Sequence, residues 1–452
     1  MLNVERGIRL IAIAVIVCLL PAGTLATVLT STHYRLDPNV ANSFGGVGSS
    51  TDYKMVDAGG EAAVGSGSSQ SYKLSQGYVS ELFHSIQLTV LPSGINEYYP
   101  LDTGIGKLAY DMSASLNNAL FEGSPSWVSG KIGDGVSLNG TTDYLGATNS
   151  ESGLTSYSFS MWFKTSTITG GQLIGFGSAQ TGNSTTHDRQ VYMSNDGKLH
   201  FEAGASGAVV NSTLAYNDGV FHQVIASMGS TGMNLYVDGK SDGTPNANTT
   251  SISGSGYWRI GDDQLSGWTS APTSNFFSGT IDEIKVFNRT LSSAEAAAFF
   301  SAENTGARSA AVLPNITPGT SQNNSLDAIV RTDAGGYNLA IQENKDLTNS
   351  DNITTIPAIS GTITSPAAWS EGVTTGLGMT VTGGVGVEGK WGTSPNYDYA
   401  AIPTVPTVFH TRTGLSGGAA EKTTIQFRAD VGPAQKQGSY SNTVFFTATL
   451  KP

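Results

Sequence analysis

Short runs of alternating apolar and polar residues fill most of the chain, separated by Gly, Asn and Asp, which is the pattern of half-buried β-strands joined by tight turns. In Ser158-Phe159-Ser160-Met161-Trp162-Phe163 the two-residue period places Phe159, Met161 and Phe163 on one face and Trp162 on the other, either covered by another segment or exposed. Val191-Tyr192-Met193 and Lys198-Leu199-His200-Phe201 flank Asn195-Asp196-Gly197, and Leu235-Tyr236-Val237 runs into Asp238-Gly239. Both predict hairpins, because Asp-Gly accepts the positive φ that primed turns demand. After a strand at Ile281 to Phe287, Ser292 and Glu295 form a capping box ahead of an alanine run, so one short helix closes an otherwise all-β stretch.

The pattern differs at the two ends. Arg6 and Arg9, an apolar run from Ile8 to Leu20, then Pro21 and small residues up to Ala26 read as a secretory signal over 1–26. Its apolar core is shorter than the ~20 residues of a membrane span, so cleavage is favoured over retention as an N-terminal anchor. The one cysteine, Cys18, lies inside that segment, so the mature chain is expected to be disulfide-free, secreted or held at a bacterial cell surface. Over 27–90 the tyrosines Tyr34, Tyr53 and Tyr72 recur every 19 residues, each before a short strand and a Gly/Ser turn. Three such small units make a spacer, or alternatively a Tyr/Lys stripe that grips polymer. Beyond the main unit at 95–306, a polar Pro-containing linker is expected at 307–325 and a second β-sandwich at 326–452.

Composition narrows the function classes. Asp, Glu, Lys and Arg make 13% of the chain and there are 56 glycines, which argues against a helical or coiled-coil protein. With 23 basic against 35 acidic residues and no basic cluster, nucleic acid is excluded as the expected partner. No second apolar run suggests a membrane span in the mature chain.

Five segments in order, YYPLDTGIGKLAYDMS, GKIGDGVSLNGTTDYL, YSFSMWFKTS, FHQVIASMGSTGMNLYVDGK and FSGTIDEIKVFNRTLSSAE, make 95–306 resemble the laminin-G-like jelly roll of the concanavalin A-like lectin/glucanase superfamily. The resemblance implies two packed antiparallel sheets acting as a carbohydrate- or protein-binding module. It also implies Ca²⁺ where the ends of the domain meet, with Asp111 and Asp282 as carboxylates and Ser113 and Asn118 completing an oxygen set. The alternative is that Asp111 caps a turn and Asp282 accepts loop amides. The Gly/Asn-rich loop usual after the aspartate is replaced here by Met112-Ser113-Ala114-Ser115-Leu116-Asn117-Asn118.

For a glycan, Tyr257, Trp258 and Trp268 bracket the polar loop containing Asp262 and Asp263, a grouping that offers ring faces and carboxylates. Trp268, among Gly and Ser, is the better platform, since Trp258 lies in a strand beside Ile260. No catalytic residues are assigned. Glucanases on this fold carry E-x-D-x-x-E, which is absent from this chain, and adjacent Asp282 and Glu283 are expected to point to opposite faces, so they cannot serve as such a pair. The expected function is binding of a glycan or a surface protein without chemistry. A structural or adhesive envelope component is the alternative, followed by a glycan hydrolase.

Overall fold

The computed structural model describes residues 86–451 apart from 205–206, 252–253, 314, 333–334 and 415–418, together with the backbone of six short strands between Leu29 and Ser75. The expected signal segment and the repeat tyrosines Tyr34, Tyr53 and Tyr72 lie outside the described residues. The six strands pair in sequence order as an antiparallel meander, and those beginning at Arg35, Lys54 and Lys73 keep the 19-residue spacing of the repeat. They belong to a unit separate from residues 86–452.

Residues 95–306 are almost all β and form a two-sheet jelly roll. One sheet runs Ala208–Ala215, Lys198–Ala203, His187–Met193, Gly171–Gly177, Ser255–Ile260, Tyr144–Ala147, Ala119–Glu122 and Leu108–Ala109. The other runs Ser126–Ser129, Asp134–Asn139, Ser278–Phe287, Tyr157–Lys164, Phe221–Gly229, Gly232–Val237 and Lys240–Ser241. Alternate residues of both close one core, including Phe159, Met161, Phe163, Leu199, Phe201, Trp258 and Ile260. The hairpin at Asp238-Gly239 has positive φ at both positions (49° and 74°), as the dipeptide predicts.

The closing helix, Ser293–Asn304, begins at the expected capping box: Glu295 N donates to Ser292 Oγ (3.3 Å) and Ser292 N donates to Glu295 Oε2 (3.0 Å). It covers Trp162, whose ring stacks on Phe300 and whose Nε1 donates to Glu303 Oε2 at 2.6 Å. Beneath it Lys285 Nζ bridges Glu283 Oε2 (2.9 Å) and Glu303 Oε1 (2.8 Å), all three buried. Burial alone would lower the Lys285 pKa, but Glu283 and Glu303 outweigh it and hold it raised.

Strand Ser278–Phe287 does not alternate throughout. Ile281 lies in the core, and so do Ile284 and Val286, so one extra residue is accommodated at Asp282-Glu283. The register against Tyr157–Lys164 shifts there and Glu283 has φ 51°. The opposite-face expectation for these two carboxylates is thereby corrected.

The C-terminal sandwich has a four-stranded sheet, Gly376–Gly383, Glu421–Asp430, Gln322–Thr332 and Ile86–Pro92, facing a three-stranded sheet, Thr407–Thr413, Gly336–Glu343 and Val444–Leu450. Strand Ile86–Pro92 pairs residue by residue with Leu326–Thr332, Leu326 opposite Pro92. The segment read as the end of a spacer is therefore this sandwich's first strand, with Leu88 and Val90 against its core. The jelly roll is inserted after it, and the chain rejoins the sandwich at Gln322, inside the expected linker. Leu91, Tyr98 and Ile329 form a buried cluster at the joint. No helix among the described residues is long and apolar enough to cross a membrane.

Candidate functional site

In the sheet containing His187–Met193 and Lys198–Ala203, the residues alternating with the core set are Gln172, Gln190, Tyr192, His200, Glu202 and Arg259. They are buried as well, because two loops roof that face. Arg259 Nη1 donates to Ala179 O (3.0 Å) and Gly182 O (2.7 Å) of the first loop. Thr269 N of the second donates to Glu202 Oε2 at 2.9 Å, and Ser184 N ties the two loops by donating to Asp263 Oδ1 at 2.8 Å. Glycine makes this close approach feasible. A Cβ at Gly175 would stand 1.9 Å from Gln190 Oε1, and one at Gly177 would stand 2.1 Å from Ser184 Oγ and 2.2 Å from Asp263 Oδ2.

Trp268 sits at the margin of this roof, half-exposed between exposed Ser266, Gly267 and Ser270. Its Nε1 donates to His187 Nδ1 at 3.0 Å, which places the His187 proton on Nε2. The Trp268 ring centre lies 5.3 Å from that of His187 and 6.4 Å, edge-on, from that of Tyr192. Tyr192 in turn stacks on His200 at 5.0 Å and donates to Glu202 Oε2 at 2.9 Å. The indole thus has one edge fixed and part of its surface in solvent.

The other expected ligand residues are placed differently. Tyr257 is half-exposed, on the strand paired with Gly171–Gly177. Trp258 is fully buried against Phe159 and Phe176 and donates to Glu151 Oε2 at 3.2 Å. Asp262 and Asp263 are buried too: Asp262 Oδ2 lies 3.4 Å from Arg259 Nη2, and Asp263 Oδ1 accepts from Ser184 N and Gln264 N. Burial pushes the Asp262 pKa up to about 6, with Arg259 lowering it and Asp263 raising it. Trp258 belongs to the core while Asp262 and Asp263 brace the roof, and none of the three offers a ligand a surface.

Sequence reasoning missed the grouping of Ser194, His200 and Asn211. His200 Nε2 lies 2.8 Å from Ser194 Oγ and its Nδ1 2.7 Å from Asn211 Oδ1, the order of a nucleophile, base and orienting group. Burial lowers the His200 pKa, opposed by its hydrogen bond with Asn211. Yet Ser194 Oγ also contacts Asp196 Oδ1, and the Ser194 and Gly197 amides are spent inside the turn on Lys198 O and Ser194 O. With Ser194 buried and its own amide and that of Gly197 used within the turn, these contacts brace a hairpin end. A depression of about 520 Å³ lined by Lys164, Thr165, Thr167, Thr169, Ser278 and Thr280 carries hydroxyls but no aromatic platform.

Asp111 and Asp282 are not brought together by any contact. Asp282 Oδ2 accepts from Lys131 N (2.7 Å) and Ile132 N (2.9 Å), and its Oδ1 accepts from Glu283 N (2.8 Å). Burial pushes its pKa up to about 8 against those amides, with Glu283 adding to the rise. Asn118 Oδ1 is occupied by Asp111 N at 2.9 Å. Asp111 Oδ1 accepts from Tyr98 N and Ser113 N, while its Oδ2 faces Ser113, Ser115 and Asn117 N. No group of three or more His, Cys, Asp or Glu side chains among the described residues is arranged to hold a metal.

Residues 139–297 match the sequence model of a laminin-G-like family described as the concanavalin A-like lectin/glucanases superfamily. The jelly roll is therefore a domain of that superfamily. No curated protein matches the chain. Among solved structures it is similar to domain 4 of AbnA, a GH43 extracellular arabinanase from Geobacillus stearothermophilus in complex with arabinotriose, at 18% identity over 46% of this chain and 98% of that one, TM-score 0.34. It is similar to the Trypanosoma rangeli sialidase in complex with sialic acid at 15% identity, covering 48% of this chain and 34% of that one, TM-score 0.36. It is also similar to the binding domain of Paraclostridial Mosquitocidal Protein 1 at 11% identity over 78% and 75% of the two chains, TM-score 0.37.

Proposed function

We propose that this is an exported, surface-located binding protein whose jelly roll engages a carbohydrate at the Trp268 margin and performs no chemistry. The observation that carries the reading is Trp268 itself: half-exposed, with its Nε1 committed to His187 and its edge against Tyr192, it presents a ring whose orientation costs nothing to fix on binding. Tyr257, the other half-exposed aromatic of the expected set, is a second place for contact. The test is a glycan array on the full chain and on Trp268→Ala. Loss of a central aromatic contact is expected to weaken binding about 10-fold or more, and full affinity in the variant would overturn the reading. Release of reducing ends from a bound polysaccharide by the purified chain would instead favour a hydrolase.

A structural or adhesive role is the second reading. It is favoured by the insertion of the jelly roll into the sandwich, with Leu91, Tyr98 and Ile329 buried at the joint. A chain that binds no glycan yet promotes cell adhesion would support it.

A further inference from the structure

The depression that holds Lys164, Ser278 and Thr280 shares no residue with the Trp268 margin. Its volume of about 520 Å³ falls within the ~300–1,000 Å³ of small-molecule sites. Lys164, at the end of strand Tyr157–Lys164, lies opposite Thr280 on one side and Phe221 on the other. Because Ile281 faces the core, the two-residue period turns Thr280 and Ser278 outward beside it. The 165–169 loop and Gly219 complete the lining.

The hydroxyls around it divide into two sets. Thr165 Oγ1 donates to Ser278 O (2.5 Å) and accepts from Thr167 N (3.0 Å), and Thr167 Oγ1 lies 3.0 Å from Thr169 Oγ1, so these three hold the rim together. Ser166, Ser278 and Thr280 also line the depression, and their hydroxyls have no hydrogen-bond partner among the described residues. Lys164 is exposed and pairs with no carboxylate among those residues; its Nζ stands over the Phe221 ring at 5.5 Å. In a chain with a net charge of −12, no Asp or Glu lines this depression. Asp218, beside Gly219, is engaged elsewhere, by Val220 N (3.0 Å) and His222 Nε2 (3.1 Å).

We propose that this depression is a second ligand site, for a sugar that bears one carboxylate. The unpaired Lys164 ammonium supplies one positive charge, which balances a single carboxylate and donates a charge-assisted hydrogen bond to it. The hydroxyls of Ser166, Ser278 and Thr280 each donate and accept, which matches the ring hydroxyls of a sugar rather than an apolar ligand. A phosphate group carries nearly twice the charge, and no second cationic side chain lines the depression to meet it. The site does not rest on what the Trp268 margin binds.

The experiment is calorimetric titration of the full chain with a galacturonate oligomer, with a glucose oligomer of the same length as the neutral control. Saturable binding of the acidic oligomer is expected, weakened about 10-fold or more in Lys164→Gln, severalfold in Thr280→Val, and kept within about 2-fold in Trp268→Ala. Lys164 is exposed, so an unchanged melting midpoint in its variant separates lost contact from lost fold. Absence of saturable binding, or full affinity in a folded Lys164→Gln, overturns the site. Equal affinity for the glucose oligomer overturns the requirement for charge, and competition by acetate as effective as that by free galacturonate overturns the requirement for a sugar. Affinity lost in Trp268→Ala but kept in Lys164→Gln moves the acidic sugar to the Trp268 margin, which overturns this site and leaves the reading of that margin standing.

Discussion

Trp162 shows what a single residue's pattern determines and what it leaves open. Alternation puts it opposite Phe159, Met161 and Phe163, yet it is buried, because Phe300 stacks on it and Glu303 accepts its Nε1–H. Replacing it with alanine removes a large buried ring and leaves Glu303 short of a donor, so Trp162→Ala should cost about 3–5 kcal/mol in urea unfolding. A loss below 1 kcal/mol would mean that the helix does not pack there. The face was legible from six neighbouring residues, whereas the cover comes from a helix more than 130 residues later in the chain. Asp262 and Asp263 illustrate the same limit. Their polar neighbourhood reads as solvent, but Arg259 and Ser184 draw them under a roof whose existence no local spacing records.

Elements whose signals are local were legible throughout. Asp238-Gly239 turns with the positive φ that its residues permit, and the helix starts at its capping box. Ser292→Ala removes the acceptor for Glu295 N and should cost about 1 kcal/mol, read as a small fall in thermal midpoint with the binding margin untouched. Strand Ile86–Pro92 was the exception, since its partner, Leu326–Thr332, lies across the whole inserted jelly roll. Leu91 is the residue to change there. It is buried between Tyr98 of the jelly roll and Ile329 of the sandwich, so Leu91→Ala should cost about 2–5 kcal/mol. If strand Ile86–Pro92 belonged to a detached spacer, the same change would leave the unfolding midpoint where it was. The bulge at Asp282-Glu283 was likewise invisible, because a one-residue slip in parity shows only when the core set on both sides is known.

At the scale of the whole molecule, the buried carboxyls set how stability depends on pH. Burial pushes Asp262 up to about 6, Glu343 up to about 7 and Asp282 up to about 8. A carboxyl with a raised folded pKa holds its proton more tightly in the native state. Its contribution is therefore complete below the unfolded value, near pH 4, and is lost as the pH climbs through those three values. Burial would lower the His222 pKa, but Asp238 and Asp218 outweigh it and raise it, so His222 acts in the same direction. Two effects oppose this. Glu388 and Asp242 are held low by hydrogen bonds against their burial, which protects the fold above pH 4 and fails below it, and His200, lowered by burial, gains stability as the pH rises toward 6.5. The carboxyl shifts span the wider range, so the thermal midpoint should peak near pH 5 and fall toward pH 8.5, the reverse of a protein limited by surface ion pairs. Asp262→Asn keeps an oxygen for Arg259 while removing one titration, and should flatten the fall between pH 4 and 6. A midpoint that rises steadily from pH 5 to 8.5 in the unsubstituted chain would show that these carboxyls are solvated, and an unchanged profile in Asp262→Asn would show that the roof over the sheet is open at Asp262.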